Sequence, residues 1–416
     1  MYIRIAIYIN MQKEATDLLI FRLQAEIFAA AIAAAINKKI SGGTKMKTSQ
    51  ELFPERLARI KTAVALEKPD RVPVVLLGDA FCANHMGVKM SKFCTDPELS
   101  TKTMIQSLTS LGEFDGTEFL SVDANIFSVL WYSDMKLAGR ELPEGSVWQV
   151  DETGTMTAED YDTIIAKGFM PVALDIINNR LRDKDIMKKF QAFLAYAPQA
   201  AQAWVAKGIV PFCPVLTMPP LEELAGARTL PKFFRDLHKI PDKVEEVMKI
   251  RQAETLATLR QSIQAVKPLT VFVGGTRGAS EFVSPKIFDR FVWPYIQEVV
   301  ETIVAEGAIA YLHFDSNWER DLDYFRRLPK GKCVMSSDSS TNIYKMKEKL
   351  GDHLCLMGDV PPALLTLGTP DEVYKHCTKL INEIGPSGYI LSQSCTIPAN
   401  AKPENVAALI SAAHGK

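Results

Sequence analysis

The chain has 416 residues, 47% hydrophobic and 23% charged, with 48 Lys and Arg against 49 Asp and Glu and a net charge of −1. This is the composition of an ordinary globular protein, with apolar material enough for one large core. It excludes disorder and a fibrous class, and the lack of a summed positive field or a basic, aromatic-interleaved block argues against a nucleic-acid partner.

Seven cysteines are scattered without a CxxC pair or a tight even framework. That pattern fits reduced thiols and the cytoplasm as the expected compartment. No apolar run reaches the roughly 18 residues of a membrane span. Residues 25–36 (AEIFAAAIAAAI) come nearest, but processing chemistry around them is missing. From Met46 the sequence reads like an ordinary protein beginning, so residues 1–45 are expected to be an N-terminal extension, either non-native or an added helical segment.

After Met46, Ser49 and Glu51 with Leu57, Ile60, Val64 and Leu66 predict a Ser-capped amphipathic helix. The run VPVVLL at 72–77 predicts a strand buried on both faces. Similar runs recur at 210–216, 269–273, 308–313, 333–336, 354–357 and 389–392, with helical stretches between them at 242–265, 288–306, 322–328, 343–350 and 369–383. Alternation of this kind predicts parallel sheet. No GxGxxG and no GxxxxGK[ST] motif occurs, so a single (β/α)8 TIM-type barrel over 46–416 is the expected α/β architecture. Residues 147–157 (VWQVDETGTMT), with a turn at Thr153-Gly154, predict a β-hairpin inserted between barrel units.

A parallel barrel gathers its chemistry at the C-terminal ends of its strands. Those ends carry His313 and Asp315, Ser336 and Asp338, Asp359, and Cys395. His313 and Asp315, at i and i+2, point the same way from one strand. With a thiolate from Cys395 they form a candidate zinc set, since catalytic zinc commonly takes three protein ligands of N, S and O type. Glu281 is a candidate fourth oxygen ligand or a solvated loop acid.

The segments LHFDSNW, GKCVMSSDSSTNIYKMKEKLGDHLCLMGDVPPALLTLGTPDEVYKHCTKLI and GYILSQSCTIPANAKPENVAALI, together with KPDRVPVVLLG upstream, resemble the uroporphyrinogen decarboxylase superfamily over residues 50–414. The resemblance implies a (β/α)8 barrel and one of two chemistries. One is cofactor-free decarboxylation of uroporphyrinogen in haem synthesis. The other is zinc-dependent methyl transfer between a corrinoid protein and a thiol or tetrahydrofolate.

The decarboxylase motif R-x-A-G-R, whose guanidinium groups clamp a polycarboxylate, is replaced here by Gly78-Asp79-Ala80-Phe81-Cys82-Ala83-Asn84-His85. The second motif, PxTLxxYxxEG, is replaced by Cys213-Pro214-Val215-Leu216-Thr217-Met218-Pro219-Pro220. Asp123 is the remaining match for the pyrrole-binding aspartate, and reads equally as a loop acid. The methyltransferase pattern H-x-C with a distant Cys matches at His313 and Cys395, with Asp315 in place of the middle Cys. The resemblance therefore implies a corrinoid-linked methyltransferase with zinc at His313, Asp315 and Cys395, catalytic candidates Asp123, Asp338 and Asp359, and decarboxylation as the alternative.

His85, Trp131, Tyr132 and Trp318 are candidates to line an apolar cofactor cavity near loop ends or to pack in the core. No D-x-H-x-x-G cobalamin signature is present, so the methyl-corrinoid is expected on a partner carrier protein, alongside a small-molecule methyl donor or acceptor and a possible homo-oligomer.

Overall fold

The computed structural model describes residues 47–415; the expected extension over 1–45 lies outside them. The first helix, Ser49–Val64, is capped one residue earlier than the sequence suggests. Thr48 is its cap, and its N–H and hydroxyl both donate to Glu51.

Two parallel sheets follow. In the first, β1 (Val75–Leu76) pairs with β2 (Gly116–Thr117), and β2 pairs with β5 (Val210–Pro211), passing over a small antiparallel pair formed by β3 (Asp134–Lys136) and β4 (Gln149–Asp151). The second runs in sequence order through β6 (Val215–Thr217), β7 (Thr270–Gly275), β8 (Ile309–Phe314), β9 (Cys333–Ser337), β10 (Cys355–Val360) and β11 (Tyr389–Gln393). The pieces β5 and β6 belong to one run, 210–217, interrupted where Pro214 can offer no ladder N–H. A parallel bridge between Val74 and Leu391, with Leu391 N–H donating to Pro73 O at 2.9 Å, sets β11 beside β1. Taking β5 and β6 together, the order has the circular sequence of eight parallel strands that defines a TIM-type barrel.

The residues explain why these strands hold. β8, IAYLHF, is apolar on both faces. Its Tyr311 packs inward with Val75, Val210, Phe212, Val334, Met357 and Ile390, and the helix Ser49–Val64 closes that interior with Phe53, Ile60, Ala63 and Val64. Its Ala310, Leu312 and Phe314 join the larger outer core under the helices.

The expected hairpin is corrected. Gln149–Asp151 does form a strand, but it pairs backward with Asp134–Lys136, and after Gly154 the chain hydrogen-bonds elsewhere, Met156 N–H donating to Ala227 O at 2.9 Å. The left-handed φ of +75° at Gly154 turns the chain away instead of back on itself. The helix expected at 322–328 is a 3₁₀ helix over Glu319–Arg327.

Candidate metal centre and adjoining cleft

Register places the centre. His313 on β8 stands opposite Gly274 on β7 and Ser336 on β9, and Asp315 N–H donates to Gly275 O at 2.9 Å, continuing the ladder one step past the strand. Cys395 follows β11, where Ser394 N–H donates to Val360 O at 3.1 Å. One ligand atom from each of His313, Asp315 and Cys395 lies within 4.8 Å of the others. The three residues expected to meet at the barrel top do meet there.

The His313 ring is held at its far nitrogen. Nδ1 stands 2.9 Å from Ser336 Oγ and 3.2 Å from the Tyr311 hydroxyl, and that hydroxyl donates to Glu118 Oε2 at 2.8 Å. With its hydrogen directed at Glu118, the Tyr311 oxygen accepts from Nδ1–H, so Nε2 is the nitrogen that faces the set, free to offer a lone pair to a metal once its own proton is lost. Nε2 is 3.3 Å from Asp315 Oδ1, misaligned for a hydrogen bond, and Oδ1 is buried without one. A buried carboxylate oxygen lacking a donor, beside an imidazole nitrogen and a thiol, is what a divalent cation satisfies; the N, O and S set is compatible with zinc.

Electrostatics follow from this crowding. Burial works against the His313 imidazolium, but the Asp315 and Cys395 groups outweigh it and raise its pKa well above the usual value. Burial would raise Asp315, yet His313 and Thr276 hold it below the usual carboxylate range. Burial pushes the Cys395 thiol up, against the stabilising hydrogen bond from His313.

Beside the set opens a cleft whose cavity volume is about 60 Å³. Phe272 lines it and stacks on the His313 ring, centroids 5.5 Å apart. Glu118 and Asp123 supply its acids, Phe119, Phe127 and Phe193 its other rings, and none of the described residues lining it is Lys or Arg. Burial raises Glu118 to about 7 despite His313, Tyr311 and Gln393, and raises Asp123 to about 6 despite two hydrogen bonds from Asn125.

The other expected residues separate. Asp338 accepts from Ser316 N–H at 3.1 Å and Ser340 N–H at 2.9 Å, tying the loops after β8 and β9 together. Asp359, raised by burial, accepts from Ser339 Oγ at 2.6 Å, and Ser339 in turn contacts Ser394 beside Cys395. His85 bonds Ser107 at 2.9 Å and stacks on Phe81, joining neither the set nor the cleft lining. Glu281 is exposed, takes Asn317 N–H at 3.1 Å and stands outside the set.

Trp318 is corrected from a cofactor-lining position. It is 0% exposed, stacked on Phe314 at 4.5 Å, and its Nε1–H donates to Asp315 O at 2.7 Å, so it braces a ligand residue from behind. Tyr132 is buried edge-on to Phe169. Half-buried Trp131 lies under the Arg277 guanidinium, 4.5 Å away.

Two acids escape a reading of the sequence. Glu118 follows a two-residue strand, Gly116–Thr117, too short and too polar to give an apolar run. Glu222, 3% exposed, takes the backbone N–H groups of Thr276, Arg277 and Gly278 and so fixes the loop after β7, whose Thr276 hydroxyl reaches Asp315 Oδ2 at 3.3 Å. The signal for Glu222 was its place in the first turn of the helix after Pro219-Pro220.

The family described as uroporphyrinogen decarboxylase (URO-D) matches residues 212–416, the half of the chain that carries β6 to β11 and all three members of the set. Over these residues the chain is similar to that family. A uroporphyrinogen decarboxylase of Syntrophotalea carbinolica is 23% identical over 79% of this chain and 87% of its own length. One from Ovis aries is 23% identical over 48% of this chain, and the match spans 55% of that protein. Among solved structures, a methyltransferase from Methanosarcina mazei superposes with a TM-score of 0.59 at 15% identity, covering 86% of this chain and 98% of that one. This likeness shows a shared fold.

Proposed function

We propose that this chain is a zinc-dependent methyltransferase that moves a methyl group between a corrinoid carrier protein and a thiol or tetrahydrofolate acceptor. The observation that carries this reading is the convergence of His313, Asp315 and Cys395, with an Asp315 oxygen left without a hydrogen bond. The fold shared with a methyltransferase from Methanosarcina mazei supports it.

His313 Nε2, an Asp315 oxygen and Cys395 Sγ would hold the ion. Bound there, zinc supplies Lewis acidity that lowers the pKa of an acceptor thiol, giving a nucleophilic thiolate near neutral pH. Around it, Tyr311 and Ser336 orient the imidazole, Trp318 and Thr276 hold Asp315, and Phe272 shields the ring from water. Asp123 on the cleft would orient the small molecule or accept its proton, while Asp338 and Asp359 would brace the loops around the set. The corrinoid arrives on a partner protein over the barrel mouth. No described helix is long and apolar enough to cross a membrane.

The test is methyl transfer from methylcobalamin to a small thiol, read as loss of the methylcobalamin absorbance. Turnover should fall on chelation and return with zinc; turnover unaffected by the chelator would contradict the reading.

Uroporphyrinogen decarboxylation is the second reading, favoured by the names of the curated relatives. A substrate with eight carboxylates would meet Glu118 and Asp123 in this cleft and no Lys or Arg among its described lining. Coproporphyrinogen formed from uroporphyrinogen by the metal-free protein would establish that reading in place of the first.

A further inference from the structure

The cleft is charged in one sense. Asp123 is 5% exposed; its Oδ1 takes both Asn125 hydrogen bonds, and Oδ2 has no hydrogen-bond partner among the described residues. The nearby cation, Lys189, is engaged by Asp183 at 2.6 Å. Glu118, 1% exposed, has both oxygens occupied by neutral donors, the Tyr311 hydroxyl and the Gln393 amide. Buried carboxylates are ordinarily matched by a cation, and here no basic side chain lines the space between them.

The rest of the wall is aromatic, with Phe119, Phe127, Phe193 and Phe272. Phenyl rings attract cations to their faces while tolerating the apolar carbon that surrounds the charge. Acids on a wall that carries no Lys or Arg among its described lining, together with its aromatic rings, are the complement of a small organic cation whose charge is wrapped in hydrocarbon.

We propose that the small-molecule partner recognised in this cleft is a substituted ammonium compound. The claim deepens the methyl-transfer reading, which alone gives the ligand its role; binding itself stands on the cleft. Anionic acceptors, such as a sulfonate-bearing thiol or the glutamyl tail of tetrahydrofolate, are disfavoured by the same charges.

Calorimetric titration at pH 7.5 with benzyltrimethylammonium, its uncharged isostere neopentylbenzene, and 4-methylbenzenesulfonate tests this. The cation should bind at least tenfold more tightly than either other probe. Asp123→Asn, whose amide oxygen can still accept from Asn125, should remove most of that preference without weakening the neutral probe, and Glu118→Gln should reduce it as a second check. Equal affinity for the three probes, or a preference untouched by both variants, would overturn the proposal. Metal content measured on the same samples separates the two readings: cation selectivity in protein that takes up no zinc would support the cleft assignment while removing the metal mechanism.

Discussion

Tyr311 and His313 leave one face of β8 two residues apart, and the hydroxyl of the first stands 3.2 Å from Nδ1 of the second. The contact orients the imidazole from the side away from the proposed metal, with Glu118 taking the Tyr311 proton at 2.8 Å. Removing the hydroxyl leaves His313 with Ser336 as its remaining Nδ1 partner.

Tyr311→Phe is therefore expected to weaken zinc binding by about tenfold to a hundredfold while keeping the barrel interior filled. Competition with a chromophoric chelator measures it. An unchanged affinity would show that the hydroxyl does not tune the ligand.

Asp123 gives a pH signature. Its pKa is raised from 3.8 to about 6 by burial, so the folded protein binds a proton there more readily than the unfolded chain does. The stabilising effect of that proton is complete below about pH 4 and is lost as the pH rises through about 6, leaving a charged, buried group that costs at most roughly 3 kcal/mol at neutral pH. Asp123→Asn is expected to unfold at a higher temperature than the wild type at pH 7.5, with the gap closing toward pH 4. Thermal melts across that range would show a constant gap if the account of Asp123 were wrong.

Arg251 and Glu223 are a buried pair, 1% and 0% exposed at the side chain, with contacts of 2.6 and 2.9 Å joining the helix Pro220–Arg228 to the helix Pro241–Val266. Breaking one side of such a pair leaves Arg251 with only the longer contact to Glu254, at 3.6 Å, as its ion pair. Glu223→Gln should cost about 3–5 kcal/mol in urea denaturation. A loss below about 1 kcal/mol would mean that the guanidinium finds water or another acceptor.

The helix containing Gly226 passes close to the Trp131 carbonyl, where an added Cβ would lie 2.6 Å from backbone oxygen. Backbone cannot yield as a flexible side chain would, so Gly226→Ala should lower stability by about 1–3 kcal/mol. A melting temperature equal to that of the wild type would show that the two segments can separate without cost.

The barrel was legible because strands such as β8 and β10 are continuous apolar runs with helices between them. The i, i+2 spacing of His313 and Asp315 was legible for the same reason: a strand sends both side chains the same way. Cys395 could be joined to them only through the barrel and the family resemblance, which the match over 212–416 supports in that half of the chain. β2 was invisible, being the two residues Gly116–Thr117, and Glu118 was lost with it. The turn at Thr153-Gly154 misled because a local turn signal does not specify which strand Gln149–Asp151 pairs with. Trp318 looked like a rim residue on loop position alone, whereas the aromatic ring of Phe314 draws it into the core.

Elemental analysis of the purified wild type beside Cys395→Ser and His313→Ala tests the central claim most directly. Near-stoichiometric zinc in the wild type, sharply reduced in both variants with the fold intact by circular dichroism, is the predicted result. Zinc at background in the wild type after zinc-supplemented expression, or equal zinc in all three proteins, would contradict it.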